Sequence, residues 1–105
     1  MMEALVKKEK LNRLFDFYEQ LLTEKQILFF KLYYHDDYSL NEIAELYQVS
    51  RNAVFDHLKK VEEHLLNYEE KLHLLERLEK RTELIAKFEE TKDQKYLNAL
   101  RKLDE

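Results

Sequence analysis

The sequence predicts an all-α protein, a helix-turn-helix head followed by a long C-terminal helical extension, and three observations carry that reading. Glycine and proline are both absent from the 105 residues, so no Gly-rich turn, phosphate loop or Pro-rich linker exists. Ala, Glu, Lys, Leu and Arg supply 59 of them, the composition of long helices, while β-branched residues are few. Ser or Thr stands at three points immediately ahead of apolar residues spaced by three and four, which is how helices begin when side chains rather than glycines mark their ends.

Those starts fix the element boundaries. Thr23-Glu24-Lys25-Gln26 and Ser39-Leu40-Asn41-Glu42 have the capping-box pattern, in which the hydroxyl accepts from the third helical amide and the Gln or Glu accepts from the cap's own N–H. Ser50 is a plain N-cap. Each start is flanked by an apolar pair, Leu22 with Ile27, Tyr38 with Ile43 and Val49 with Val54, placed as hydrophobic staples.

The first helix spans about residues 4–21, with Leu11, Leu14, Phe15, Tyr18 and Leu22 on one face. The second covers about 24–35 and is expected to turn Ile27, Leu28, Phe30, Leu32 and Tyr34 inward, with Asp36-Asp37 as the connection. It is apolar on nearly every side, carrying Phe29, Phe30, Tyr33 and Tyr34 on different faces. Such a helix lies at the centre of its domain or meets another chain. The third, about 40–47, buries Leu40, Ile43, Ala44 and Tyr47; the fourth starts after Ser50 and buries Val54, Leu58, Val61 and Leu65.

That last face continues through Tyr68, Leu72 and Leu75 in alternating steps of three and four, which is heptad spacing, and is expected to shift or stop at Leu78-Glu79, short of a coiled coil. A further helix over about 82–90 is expected to bury Leu84, Ile85 and Phe88. After Thr91-Lys92-Asp93 a final amphipathic stretch presents Tyr96, Leu97, Leu100 and Leu103. We therefore divide the chain into a head, residues 1–67, and an extension, residues 68–105, that serves packing or dimerisation. Tyr68, Leu72 and Leu75 should lie beyond a compact four-helix head, covered by the C-terminal helices folding back or by a second copy. With Tyr34 they form the expected partner surface.

Residues 39–58 carry the functional signal. Two short helices joined by Tyr47-Gln48-Val49, with Ala44 small enough for close approach and Ile43, Tyr47, Val49, Val54 and Leu58 at buried positions, match the plan of a helix-turn-helix. Gln48 stands where a glycine commonly adopts the left-handed conformation, so the turn either carries a penalty of about 1 kcal/mol or more, or is wider than usual.

The segments Leu14-Phe-Asp-Phe-Tyr18, Leu21-Leu-Thr-Glu-Lys-Gln26, Leu32-Tyr-Tyr34, Asp36-Asp-Tyr-Ser-Leu40, Glu42-Ile-Ala-Glu45, Val49-Ser-Arg51 and Tyr68-Glu-Glu-Lys-Leu-His-Leu-Leu75 resemble the bacterial YlxM-type proteins over roughly residues 11–80. The middle part of such proteins is similar to the promoter-reading region 4 of sigma factors. The family is associated with the signal recognition particle pathway through the company its genes keep. The resemblance implies a DNA-binding-type fold, and a regulatory role in protein targeting with components of that particle as partners.

A recognition helix offers its first two turns to base edges and needs cations for phosphates. The outward residues are Arg51, Asn52, Phe55, Asp56, Lys59 and Lys60. Arg51 suits guanine, Asn52 adenine and Phe55 a thymine methyl, while Lys59 and Lys60 suit phosphates. Against this, residues 38–67 hold three basic and five acidic groups, net −2, within a chain of net charge −4. That is a weak electrostatic footprint for a monomer, which a homodimer would double. Two readings follow: a DNA-binding regulator, or a protein or ribonucleoprotein adaptor that keeps the helix-turn-helix as a scaffold and uses Phe55, Tyr34 and the leucine face of the long helix.

Other classes find little support. The chain has no cysteine, hence no disulfide or thiolate metal site, and no apolar run of membrane-spanning length, so a cytoplasmic protein without membrane insertion is expected. Of His35, His57, His64 and His73, only Glu70-x-x-His73 has ligand spacing, and the second copy that a di-metal bundle needs is missing. These histidines are expected at the surface or an interface. Lys7-Lys8-Lys10-Arg13 and Lys80-Arg81 are interleaved with acids and read as solvated faces. No nucleophile, base and oxyanion set is recognisable, so we expect no enzyme and no cofactor.

Overall fold

The computed structural model describes Met2–Asp104, and every regular element in that range is helical. α1 spans Met2–Tyr18 and tightens into a single 3₁₀ turn at Glu19–Leu21; α2 runs Glu24–Phe30 and widens into a π-helical turn at Lys31–His35. α3 is Leu40–Tyr47, α4 Arg51–Leu72, α5 Leu74–Thr91 and α6 Gln94–Leu103. The chain divides into two compact units, one ending at Lys71 and one beginning at Leu72.

The helix starts form as the capping chemistry dictates. Thr23 Oγ1 accepts from the Gln26 amide at 3.2 Å while Gln26 Oε1 accepts from the Thr23 amide at 2.9 Å. Ser39 and Glu42 repeat this reciprocal pair at 3.0 Å in both directions. Ser50 Oγ accepts from the Ala53 amide at 3.0 Å. Because these contacts are local, each satisfies orphan amides before any tertiary packing.

Helix ends are a different matter in a chain without glycine. Asp37, Gln48, His73 and Lys92 all adopt positive φ, between 53° and 58°, a conformation that asparagine and aspartate tolerate and longer side chains resist. Of the two alternatives open at Gln48, the left-handed conformation in a tight turn is the one adopted. The Val49 amide donates to the Ala44 carbonyl at 3.0 Å and the Gln48 amide to the Glu45 carbonyl at 3.3 Å, the paired bonds of a Schellman cap, so the tight turn is kept and the side chain is tolerated.

In the first unit, Leu11, Leu14, Phe15, Tyr18 and Leu22 of the α1 region are all buried, as are Ile43, Ala44, Val54, Leu58, Val61 and Leu65. Phe15 and Phe30 stack face to face at 4.3 Å, with the His35 ring edge-on to both. α1 is tied to α4 by the Tyr18 hydroxyl, which donates to Glu69 Oε1 at 2.7 Å, and by a Lys7–Glu62 ion pair at 2.8 Å. The helix-turn-helix has its own apolar centre, in which Phe29 meets Ile43, Ala44, Val54 and Leu58.

Several expectations are corrected here. In α2, Phe29 is buried and Leu28 exposed, because that helix is apolar all round and only tertiary packing selects the buried side. Val49 is 40% exposed rather than buried. The Tyr68 hydroxyl donates to the Leu21 carbonyl at 3.3 Å and its ring lies 5.9 Å from that of Tyr18, so Tyr68 belongs to the head and not beyond its reach. The heptad-spaced face does not run on to Leu78-Glu79, since α4 ends at Leu72 and His73 takes a left-handed conformation.

The second unit is a hairpin of α5 and α6 turned by Lys92-Asp93, with Asp93 capping α6 through its carboxylate and the Lys95 amide at 3.0 Å. α5 is continuous from Leu74, not a short helix over 82–90. It buries Leu75 and Leu84 and leaves Ile85 exposed. Tyr96, Leu97, Leu100 and Leu103 of α6 are half-buried.

Candidate nucleic-acid interface

The first turns of α4 divide cleanly. Val54, Leu58 and Val61 point into the head, while Arg51 and Asn52 ahead of them and Phe55, Asp56, Lys59 and Lys60 between them are all exposed. The division follows from helical geometry: a three- and four-residue apolar spacing occupies one face and leaves the rest to solvent. Phe55 is half exposed, an apolar ring offered to water beside polar groups. Among the described residues, Arg51, Lys59 and Lys60 make no ion pair, so their charges are unspent.

Folding alters the charge balance read from residues 38–67. Glu62, one of the five acids, is held by Lys7 of α1 at 2.8 Å, a partner outside that segment and more than fifty residues away in the chain. The sequence pattern contains no signal for this pairing. Lys7 itself belongs to a basic cluster that reads as a solvated face, and Lys8 pairs in the same way with Asp37 at 3.3 Å.

Beside this face, α1, the π turn, α3 and α4 line an open cleft of about 410 Å³. Tyr33, Tyr34 and Phe55 supply aromatic walls, and Lys7, Lys59 and Glu62 the charged groups, with Leu40 and Leu58 completing it. Tyr34 is half-buried, its ring 4.5 Å from Phe30. Burial first, then the Glu62 charge and Tyr33, pushes its hydroxyl up to about 12, so it remains a hydrogen-bond donor at any physiological pH. Tyr33, Leu40 and Glu62 were not among the site residues legible in the sequence; the one available signal was a tyrosine doublet in a helix with no polar side.

The remaining expected contact residues are dispersed. Tyr68 is engaged with α1, Leu75 is buried in the hairpin unit, and Leu72 stays 45% exposed. His57, expected at the surface or an interface, is partly buried against Phe29 at 4.6 Å. No helix among the described residues is long and apolar enough to cross a membrane. Nor do three His, Cys, Asp or Glu side chains among them gather to hold a metal.

A three-residue turn with a Schellman cap, a small Ala44 at the crossing and an exposed first face on the following helix define a helix-turn-helix protein. The chain belongs to the family UPF0122, the YlxM / p13-like helix-turn-helix proteins, whose pattern it matches over residues 5–103. It is 48% identical over 101 residues to the UPF0122 protein YlxM of Bacillus subtilis, covering 92% of each chain. It is 53% identical over 83 residues to a UPF0122 protein of Oceanobacillus iheyensis, 79% of each chain, and 54% over 84 residues to one of Halalkalibacterium halodurans, 80% of this chain and 77% of that one.

Proposed function

We propose that the protein is a non-enzymatic DNA-binding regulator of the cytoplasm, reading sequence through Arg51, Asn52, Phe55 and Asp56 and phosphates through Lys59 and Lys60. The observation that carries this reading is the exposure of all six residues on one face of α4 while the opposite face is sealed in the head. Arg51 and Asn52 sit in the first turn, where a recognition helix meets base edges. A homodimer supplies the phosphate contacts that an acidic monomer lacks. The stripe Leu74, Leu78 and Ile85, exposed along one side of α5, is a suitable surface for it. Membership of the YlxM-type family, whose genes keep company with those of the signal recognition particle pathway, supports a place for this regulator in protein targeting.

Selection from a random duplex pool, followed by anisotropy titration over a range of salt, tests the reading. Affinity should fall steeply with salt, and Arg51→Ala with Asn52→Ala should abolish discrimination between sequences while weak binding persists. Absence of binding even at low salt ends this proposal. It would favour the second reading, for which the acidic balance of residues 38–67 is the supporting observation: an adaptor that uses Phe55, Tyr34 and the leucine face of the long helix to meet a targeting-particle protein or RNA.

A further inference from the structure

We propose that the cleft between α1, the π turn and the start of α4 is a binding site for a purine nucleotide. Its volume, about 410 Å³, falls in the range of small-molecule sites. The chemistry of the lining narrows the ligand. Three aromatic side chains, Tyr33, Tyr34 and Phe55, offer faces and edges to a planar ring. Lys7 and Lys59 offer ammonium groups to an anion, and Glu62 offers a carboxylate to N–H donors. A purine nucleotide carries all three features; a nucleoside lacks the anion, and phosphate lacks the ring and its N–H groups.

The π turn is an independent pointer. Such turns are rare, occur mostly as single turns within α-helices and are frequently found at functional sites. Here the Asp36 amide donates to the Lys31 carbonyl at 2.9 Å, and the widened turn brings two consecutive tyrosines to one cavity, in edge-to-face contact at 4.9 Å. Consecutive residues of a regular helix do not share a face. Charge adds a third argument: the protein is acidic overall, yet Lys59, among the described residues, has no carboxylate partner, and Lys7 has only Glu62. An incoming phosphate therefore meets one uncompensated cation at once, and a second when a base N–H takes over Glu62.

The site does not depend on the DNA-binding reading, although it shares Phe55 and Lys59 with that face. The test is titration of the ¹⁵N-labelled full chain with AMP and GMP, with adenosine and inorganic phosphate as separate arms. The expected result is a set of amide shifts centred on Lys7, Tyr33, Tyr34, Phe55 and Lys59. The nucleotide Kd should be on the order of 1 mM or tighter and at least about tenfold below that of either fragment. Phe55→Ala and Lys59→Ala, both at exposed positions, should each weaken nucleotide binding about tenfold, a change of about 1.4 kcal/mol, while Arg51→Ala with Asn52→Ala leaves it unaltered. Equal binding of phosphate alone, shifts centred elsewhere, or no shifts at all overturn the proposal. Nucleotide binding in a protein that ignores DNA removes only the DNA reading; DNA binding without nucleotide shifts removes only this one.

Discussion

The head and the C-terminal hairpin are both helical, yet they are held in different ways. The head seals Phe15, Tyr18, Phe29, Phe30, Val61 and Leu65 almost completely from water. It also starts α2, α3 and α4 with a side-chain hydrogen bond to an exposed amide. The hairpin buries Leu75 and Leu84, leaves most of α6's apolar side half-covered, and begins α5 at a left-handed His73 with no side-chain cap. Its charged pairs, Arg81 with Asp104 and Lys87 with Glu83, are exposed, and exposed pairs contribute little. The difference teaches that, where glycine and proline are absent, order depends on buried area and caps, and only the head has both in quantity.

Core truncation breaks this comparison most forcefully. Phe15→Ala removes a ring that stacks on Phe30 at 4.3 Å in a fully sealed site and should lower stability by about 4 kcal/mol. Leu84→Ala, in a thinner core that collapses more easily, should cost about 2 kcal/mol, and amide exchange should confine its effect to α5 and α6. Urea unfolding followed by circular dichroism gives both values. If Leu84→Ala lowers the midpoint as far as Phe15→Ala, with loss of exchange protection in α1 to α4, the two units are one cooperative structure and the contrast fails.

Helix ends sharpen the comparison on a smaller scale. Ser39→Ala deletes one half of a capping box and should cost about 1 kcal/mol. Gln48→Gly acts in the opposite sense: it relieves a side chain held at φ 53° and should add up to about 1 kcal/mol, an increase in Tm of about 4–8 °C for a unit of this size. Glycine at His73 or Lys92 should protect only the hairpin amides. A Gln48→Gly variant less stable than the parent would mean that the Gln48 side chain contributes more than its backbone conformation costs.

What was legible in the sequence follows the range of the forces involved. The starts at Thr23, Ser39 and Ser50 were legible because a cap joins residues three apart, and α3 has the expected bounds, Leu40–Tyr47. The exposed face of α4 was legible because Val54, Leu58 and Val61 mark its opposite. The break at His73 was not, since apolar spacing reads straight through it and no glycine announces it. The choice of Phe29 over Leu28 rests on packing against α3 and α4, and the Lys7–Glu62 pair on a distant segment, so neither has a local signature. The aromatic cleft combines both difficulties: a π turn that spacing does not reveal, and walls drawn from four separate elements.

The smallest effect concerns His57, where α2 and α4 meet. Its ring lies 4.6 Å from Phe29, Nε2 is buried without a hydrogen-bond partner, and Lys25 and Lys60 are nearby cations. Burial first, and then the Lys25 charge, pushes its pKa below the ordinary 6.5, against a hydrogen bond to the Lys25 backbone that favours the charged form. The sign follows from linkage. The unfolded chain takes up the proton first as pH falls, so the neutral ring's contribution is complete above 6.5 and is lost progressively as pH drops through the depressed folded value. Urea midpoints measured from about pH 7.5 down to about 5.5 should therefore decline in the parent protein and decline less in His57→Gln. The loss should appear in the amides of α2 and α4, with the hairpin unaffected. An identical decline in both proteins would assign the pH dependence to other groups and remove His57 from the account of how the head is held together.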